Sequence, residues 1–93
     1  MTPTDTIAIS QDVVSREVAG ETVMLDLESG QYFGLDGVGR RIWELLTEKP
    51  RSADALADIL VEEYDAPRET IKTDALALIE DLHARNLVVA QAA

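Results

Sequence analysis

The chain has 93 residues, with 18 Asp plus Glu against 8 Lys plus Arg, a formal net charge of −10, one His and no Cys. That length fits one domain, and so short a chain buries only about 60–65% of the surface its unfolded form exposes, leaving little room for an enclosed active-site chamber. The acidic balance argues against nucleic acid and anionic membranes as partners, since both are bound through clustered Lys and Arg, and the lack of Cys removes disulfides and thiolate chemistry.

The charge is evenly spread: residues 1–35 carry 6 acids and 1 base, and residues 36–93 carry 12 acids and 7 bases, a net −5 in each part. The start, Met1-Thr-Pro-Thr-Asp5, lacks the basic residues and apolar run of a signal peptide, and no stretch reaches the roughly 18 apolar residues of a membrane span. A soluble cytoplasmic domain is expected.

Residues 1–10 hold Thr, Pro, Asp and Ser with only Ile7 and Ile9 as anchors, and are expected to form a flexible arm leading into a domain over 11–90, followed by a tail over 91–93. Val13 to Val18 suggests a short strand with Val14 and Val18 on one face, turned back by Ala19-Gly20-Glu21. Thr22 to Leu27 alternates, Val23, Leu25 and Leu27 against Thr22, Met24 and Asp26; Glu28-Ser29-Gly30-Gln31 is a second turn signal, and Tyr32-Phe33-Gly34-Leu35 a third strand. Consecutive strands on short turns usually pair, so a three-stranded antiparallel meander is expected.

Near Asp36 the apolar period becomes helical. Asp36 can cap a first helix through its carboxylate, with Val38, Ile42, Leu45 and Leu46 on one stripe to about Glu48. Lys49-Pro50-Arg51 stops it, and Ser52 is the N-cap candidate of a second helix whose apolar face is Ala53, Leu56, Ala57, Leu60, Val61 and Tyr64. A third helix is expected from Pro67 to about Asn86, a C-cap candidate, with Leu87-Val88-Val89 extended against the core. The fold class is therefore α+β, a three-stranded antiparallel sheet followed by three helices in winged helix-turn-helix proportions. That shape usually binds DNA, but the charge opposes it.

Catalytic chemistry finds no constellation. His83 is the one imidazole and has no Ser beside it on the helix; the doublets Glu62-Glu63 and Glu80-Asp81 are adjacent residues that do not share a helix face. No catalytic residue, metal site or cofactor is expected. Gly34, Gly37 and Gly39 have the wrong order for a dinucleotide fingerprint and suggest a tight strand-to-helix junction.

A binding surface remains. If Gln31–Leu35 lies at a sheet edge, its free N–H and C=O groups invite an extended peptide, or a second copy of the chain. On the third helix Ile71, Ala75, Leu78, Ile79 and Leu82 form a core arc, with Lys72, Leu76 and His83 along one margin and Asp74, Asp81 and Arg85 along the other; either margin could wall a groove.

The run from Leu27 through Tyr32, Phe33, Gly34, Leu35, Asp36, Ile42 and Trp43 to Leu46, then Leu56-Ala57, Leu60, Leu78, Leu82 and Asn86-Leu87-Val88, resembles the PqqD family of small peptide-chaperone domains, also called RiPP recognition elements. The resemblance implies a non-enzymatic domain that binds the leader of a ribosomally made precursor peptide by strand addition and presents it to a modifying enzyme such as a peptidase, cyclase or radical enzyme. It assigns peptide binding to Gln31, Tyr32, Phe33, Gly34 and Leu35 on the strand and to Leu78, Asp81, Leu82 and Arg85 on the helix. Glu28-Ser29-Gly30 and Asp36 depart from the pattern of members dedicated to pyrroloquinoline quinone synthesis, so the chain looks closer to the branch serving lasso-type or other modified peptides, with that synthesis left open. The alternative is an acidic winged-helix regulatory or protein-interaction domain. Trp43 is expected to be a core aromatic joining helix to sheet.

Overall fold

A computed structural model describes residues 1–91. In chain order its elements are β1 (Thr6–Ile9), β2 (Val13–Val18), β3 (Glu21–Asp26), β4 (Tyr32–Leu35), α1 (Gly37–Glu48), β5 (Arg51–Ser52), α2 (Ala53–Leu60), α3 (Arg68–Ala84) and β6 (Val88–Gln91).

The expected meander is present, with β2, β3 and β4 antiparallel in that order. Its first turn holds Ala19 at φ 52° and Gly20 at φ 83°, the two left-handed positions of a type I′ hairpin, whose twist matches that of its strands. Asp26 organises the second turn. Only 8% exposed, it accepts from the Glu28 N–H at 3.1 Å and from the Ser29 hydroxyl at 2.9 Å, and so satisfies its buried oxygens locally. Alternation along β3 buries Thr22, Met24 and Asp26, leaving Val23 and Leu25 half-buried on the other face.

A second sheet departs from expectation. Residues 6–9, read from sequence as part of a flexible arm, form its central strand β1 between β5 and β6, and Ile7 is 1% exposed. Both partners come from distant, very short segments, and pairing of that kind leaves no local pattern to read. Of the expected tail over 91–93, Gln91 ends β6 and the rest lies outside the described residues.

The helices bury the predicted stripes with three differences. Val38 is 39% exposed, because the first turn of α1 overhangs the gap between β4 and α3 instead of covering the core. Asp36 occupies the N-cap position without a side-chain hydrogen bond; Gly37 at φ 53° enters α1 from the left-handed region, so the first-turn amides do not converge on the carboxylate. Finally, α2 ends at Leu60, short of Val61 and Tyr64, and residues 61–63 continue as turns.

Ser52 does cap α2, its Oγ accepting from the Ala55 N–H at 3.1 Å. Asn86, at φ 62°, closes α3: its own N–H bonds to the His83 carbonyl at 3.0 Å and the Leu87 N–H to the Leu82 carbonyl at 2.9 Å. This double bond pattern is the Schellman motif, and the left-handed residue reverses the chain so that Leu87 packs back beside Leu82. Trp43, 1% exposed, donates from Nε1 to Ser15 Oγ at 3.0 Å. It joins α1 to the meander, as expected.

Candidate binding groove

Because β4 is last in its sheet, one of its edges is unpaired among the described residues, and an unpaired edge is a template for another strand. Phe33 and Leu35 are half-buried, whereas Tyr32 is 70% exposed on the opposite face. Opposite the edge stands α3. A cleft of about 170 Å³ is walled by Phe33, Gly34 and Leu35 on one side and Asp81, Leu82 and Arg85 on the other, over a floor of Met24 and Leu87. A second cleft, of about 310 Å³, takes Gly34 and Leu35 again with Asp74, Ala75 and Leu78 of α3. Sharing two strand residues, the clefts make one groove along β4.

Helical spacing explains which face of α3 is used. Asp74, Leu78, Asp81 and Arg85 recur every three or four residues and therefore lie on one side. On the other margin Lys72 reaches toward Asp54 of α2 at 3.9 Å and bonds Glu69 at 3.2 Å, Leu76 packs on the core and His83 is exposed. The groove therefore belongs to the Asp74 margin.

Gly39 sets its depth. A Cβ there would lie 3.3 Å from a Leu35 methyl and 3.5 Å from a Leu78 methyl, so glycine lets α1 approach strand and helix together. At the far end Arg85 bridges the walls: its Nε donates to Asp81 at 3.2 Å and its guanidinium carbon lies 5.1 Å from the Phe33 ring centre. Both charges are about half-exposed, so the ion pair contributes little stability, and its effect is to place a cation over an aromatic wall. The stronger pairs lie elsewhere. Arg41 grips Glu63 with two 2.8 Å bonds, and those hydrogen bonds, with the attraction between the charges, hold the Glu63 carboxyl below its usual range. Arg40 is raised by its hydrogen bond to Glu17, 2.7 Å away.

The sequence profile of the PqqD family, described as coenzyme PQQ synthesis protein D, matches residues 21–88. The chain belongs to the PqqD family. A solved structure of TbiB1 in complex with the TbiA(beta) leader peptide is similar with a TM-score of 0.82 and 38% identity, over 87% of this chain and 93% of that one. A lasso peptide synthetase B1 complexed with the leader peptide shares the fold, with a TM-score of 0.80 at 23% identity over 89% and 96% of the two chains. No curated protein matches the chain.

In this PqqD-family domain Phe33, Gly34, Leu35, Leu78, Asp81, Leu82 and Arg85 converge on the groove. Tyr32 lies on β4 but faces the outer surface of the sheet with Val14 and Leu25. Gln31 precedes the strand, its carbonyl accepting from the Asp26 N–H at 3.0 Å, and lines neither cleft. Sequence reasoning missed Met24 and Leu87 as the floor; it placed Gly39 in a tight junction without showing its close approach to Leu35 and Leu78. The alternation of β3 carries a signal for Met24, whereas Leu87 reaches the floor only through the chain reversal at Asn86. Among the described residues no three His, Asp or Glu side chains are grouped to hold a metal, and no helix is long and apolar enough to cross a membrane.

Proposed function

We propose that this chain is a non-enzymatic recognition domain that captures the leader of a ribosomally made precursor peptide in the cytoplasm and presents it to a modifying enzyme. The observation that carries the reading is the free edge of β4 facing the Asp74 margin of α3 across an apolar-floored groove. An extended peptide added there gains main-chain hydrogen bonds from the strand, and its alternate side chains enter the clefts beside Phe33 and Leu78, which supplies specificity. The likeness to TbiB1, solved with the TbiA(beta) leader peptide, supports a leader peptide as the ligand. Tethering a leader raises the effective concentration of its core segment at the enzyme, and that requires no chemistry from the domain. Phe33, Gly34 and Leu35 form the receiving side, Tyr32 adding its main chain, with Leu78, Asp81, Leu82 and Arg85 opposite. The departures at Glu28-Ser29-Gly30 and Asp36 from the pattern of pyrroloquinoline quinone members favour a lasso-type or other modified precursor as the substrate class.

The test is a titration of the isotope-labelled chain with the TbiA(beta) leader peptide. Saturable binding with amide shifts across residues 32–35 and 78–85 is expected, and replacing the half-buried Leu78 with Asp should weaken it by about tenfold or more, a charge then standing on the apolar wall. Binding absent, or present without shifts in those two segments, overturns the reading.

A further inference from the structure

The groove does not stop where β4 ends. Val38 and Asp74, which line its Leu35 end, also line a pocket of about 290 Å³ between the first turn of α1 and the α2–α3 connection, walled by Leu60, Tyr64, Ala66 and Ile71. Val38 and Tyr64 are 39% and 36% exposed, apolar surface turned toward solvent at a concave site instead of being buried. Asp74 lines both cavities, Asp36 the groove and Asp65 the pocket, and none of these carboxylates is hydrogen-bonded or ion-paired to another described residue. Six of the eight Lys and Arg side chains are in ion pairs elsewhere: Arg40, Arg41, Arg51, Arg68, Lys72 and Arg85.

We propose that this pocket is a second subsite for the same leader, taking one branched or aromatic side chain from outside the strand-pairing segment, with a Lys or Arg beside it facing Asp65 and Asp74. The inference rests on the leader-binding reading above. Continuity identifies the occupant, since a peptide lying along β4 and leaving past Leu35 meets Val38 and Asp74 next. Charge identifies its neighbour: carboxylates on an apolar rim lose hydration when a peptide covers them, and a cation both restores hydrogen bonds and offsets their charge. Polarity follows from the sheet. Its strands are antiparallel throughout, so an added strand that continues the pattern runs from Leu35 toward Tyr32 and places the pocket residue N-terminal to the paired segment.

The probe is the TbiA(beta) leader peptide and a series in which successive residue pairs N-terminal to its paired segment are replaced by Leu-Lys or by Glu-Glu. Anisotropy binding is measured to the full chain and to a Tyr64→Ser, Asp74→Asn variant, whose changes fall on exposed positions and whose fold is checked by its amide spectrum. At one position the Leu-Lys peptide should bind about tenfold tighter than the Glu-Glu peptide, with shifts at Val38 and Thr70, and the variant should close that gap to about twofold. Shifts at residues 32–35 with no such gap at any position, or with a gap the variant leaves intact, overturn the subsite and leave the groove standing. If no peptide shifts residues 32–35, the leader-binding reading fails and the subsite fails with it.

Discussion

Ala19 shows how one residue can be legible in its role and wrong in its chemistry. Ala19-Gly20 marks a turn in the sequence, but only the backbone shows Ala19 at φ 52°, a conformation that costs an L-residue with a Cβ about 1–2 kcal/mol. Asn tolerates that region and Asn-Gly is a preferred type I′ pair, so Ala19→Asn should stabilise the domain by roughly 0.5–1 kcal/mol in urea unfolding. An unchanged midpoint would show that the turn carries no strain. Asn86 is the opposite case. Its residue type already marks the end of α3, and the structure places it at φ 62° where that type is tolerated. Val38 departs from expectation because helical periodicity says which residues share a stripe, but not that the first turn of α1 overhangs a groove; Asp36 departs because residue type does not show that Gly37 enters the helix at φ 53°.

Among the elements, the helices are held to one another by charge as well as by apolar packing. Arg41 of α1 grips Glu63 in the turns after α2, while Arg68 of α3 bonds Asp58 of α2 at 2.7 Å. Because the Arg41 bonds lower the folded-state pKa of Glu63, their contribution is fully present above its unfolded pKa. It is lost as pH falls through the lower folded value. Glu63→Gln should therefore melt at a lower temperature than the native chain at neutral pH, with the difference shrinking toward zero in the acid range where Glu63 is protonated in both states. A difference that persists there would assign the loss to packing. The meander and all three helices were legible because each carries its own period of two or 3.6 residues over several turns or pairs. The β5-β1-β6 sheet was not, since strands of 4, 2 and 4 residues are defined by their partners and by little else.

For the molecule as a whole, the net charge of −10 opposes compaction, because like charges repel more strongly in the folded state. Raising salt from about 10 mM to 0.5 M shortens the screening length from about 30 Å to under 5 Å, so the melting temperature should rise with salt; a fall would mean that the ion pairs between the helices outweigh the repulsion. The sequence by itself determined the acidic balance, the α+β class and the strand and helix that form the groove, because composition and periodicity are local properties. Only the tertiary structure decided that β4 has a free edge among the described residues, that the Asp74 margin of α3 faces it, that Gly39 sets the depth between them and that Asp65 and Asp74 line a pocket beyond its end. Those facts depend on which distant segments meet, and burial and pairing are settled between segments, not within them.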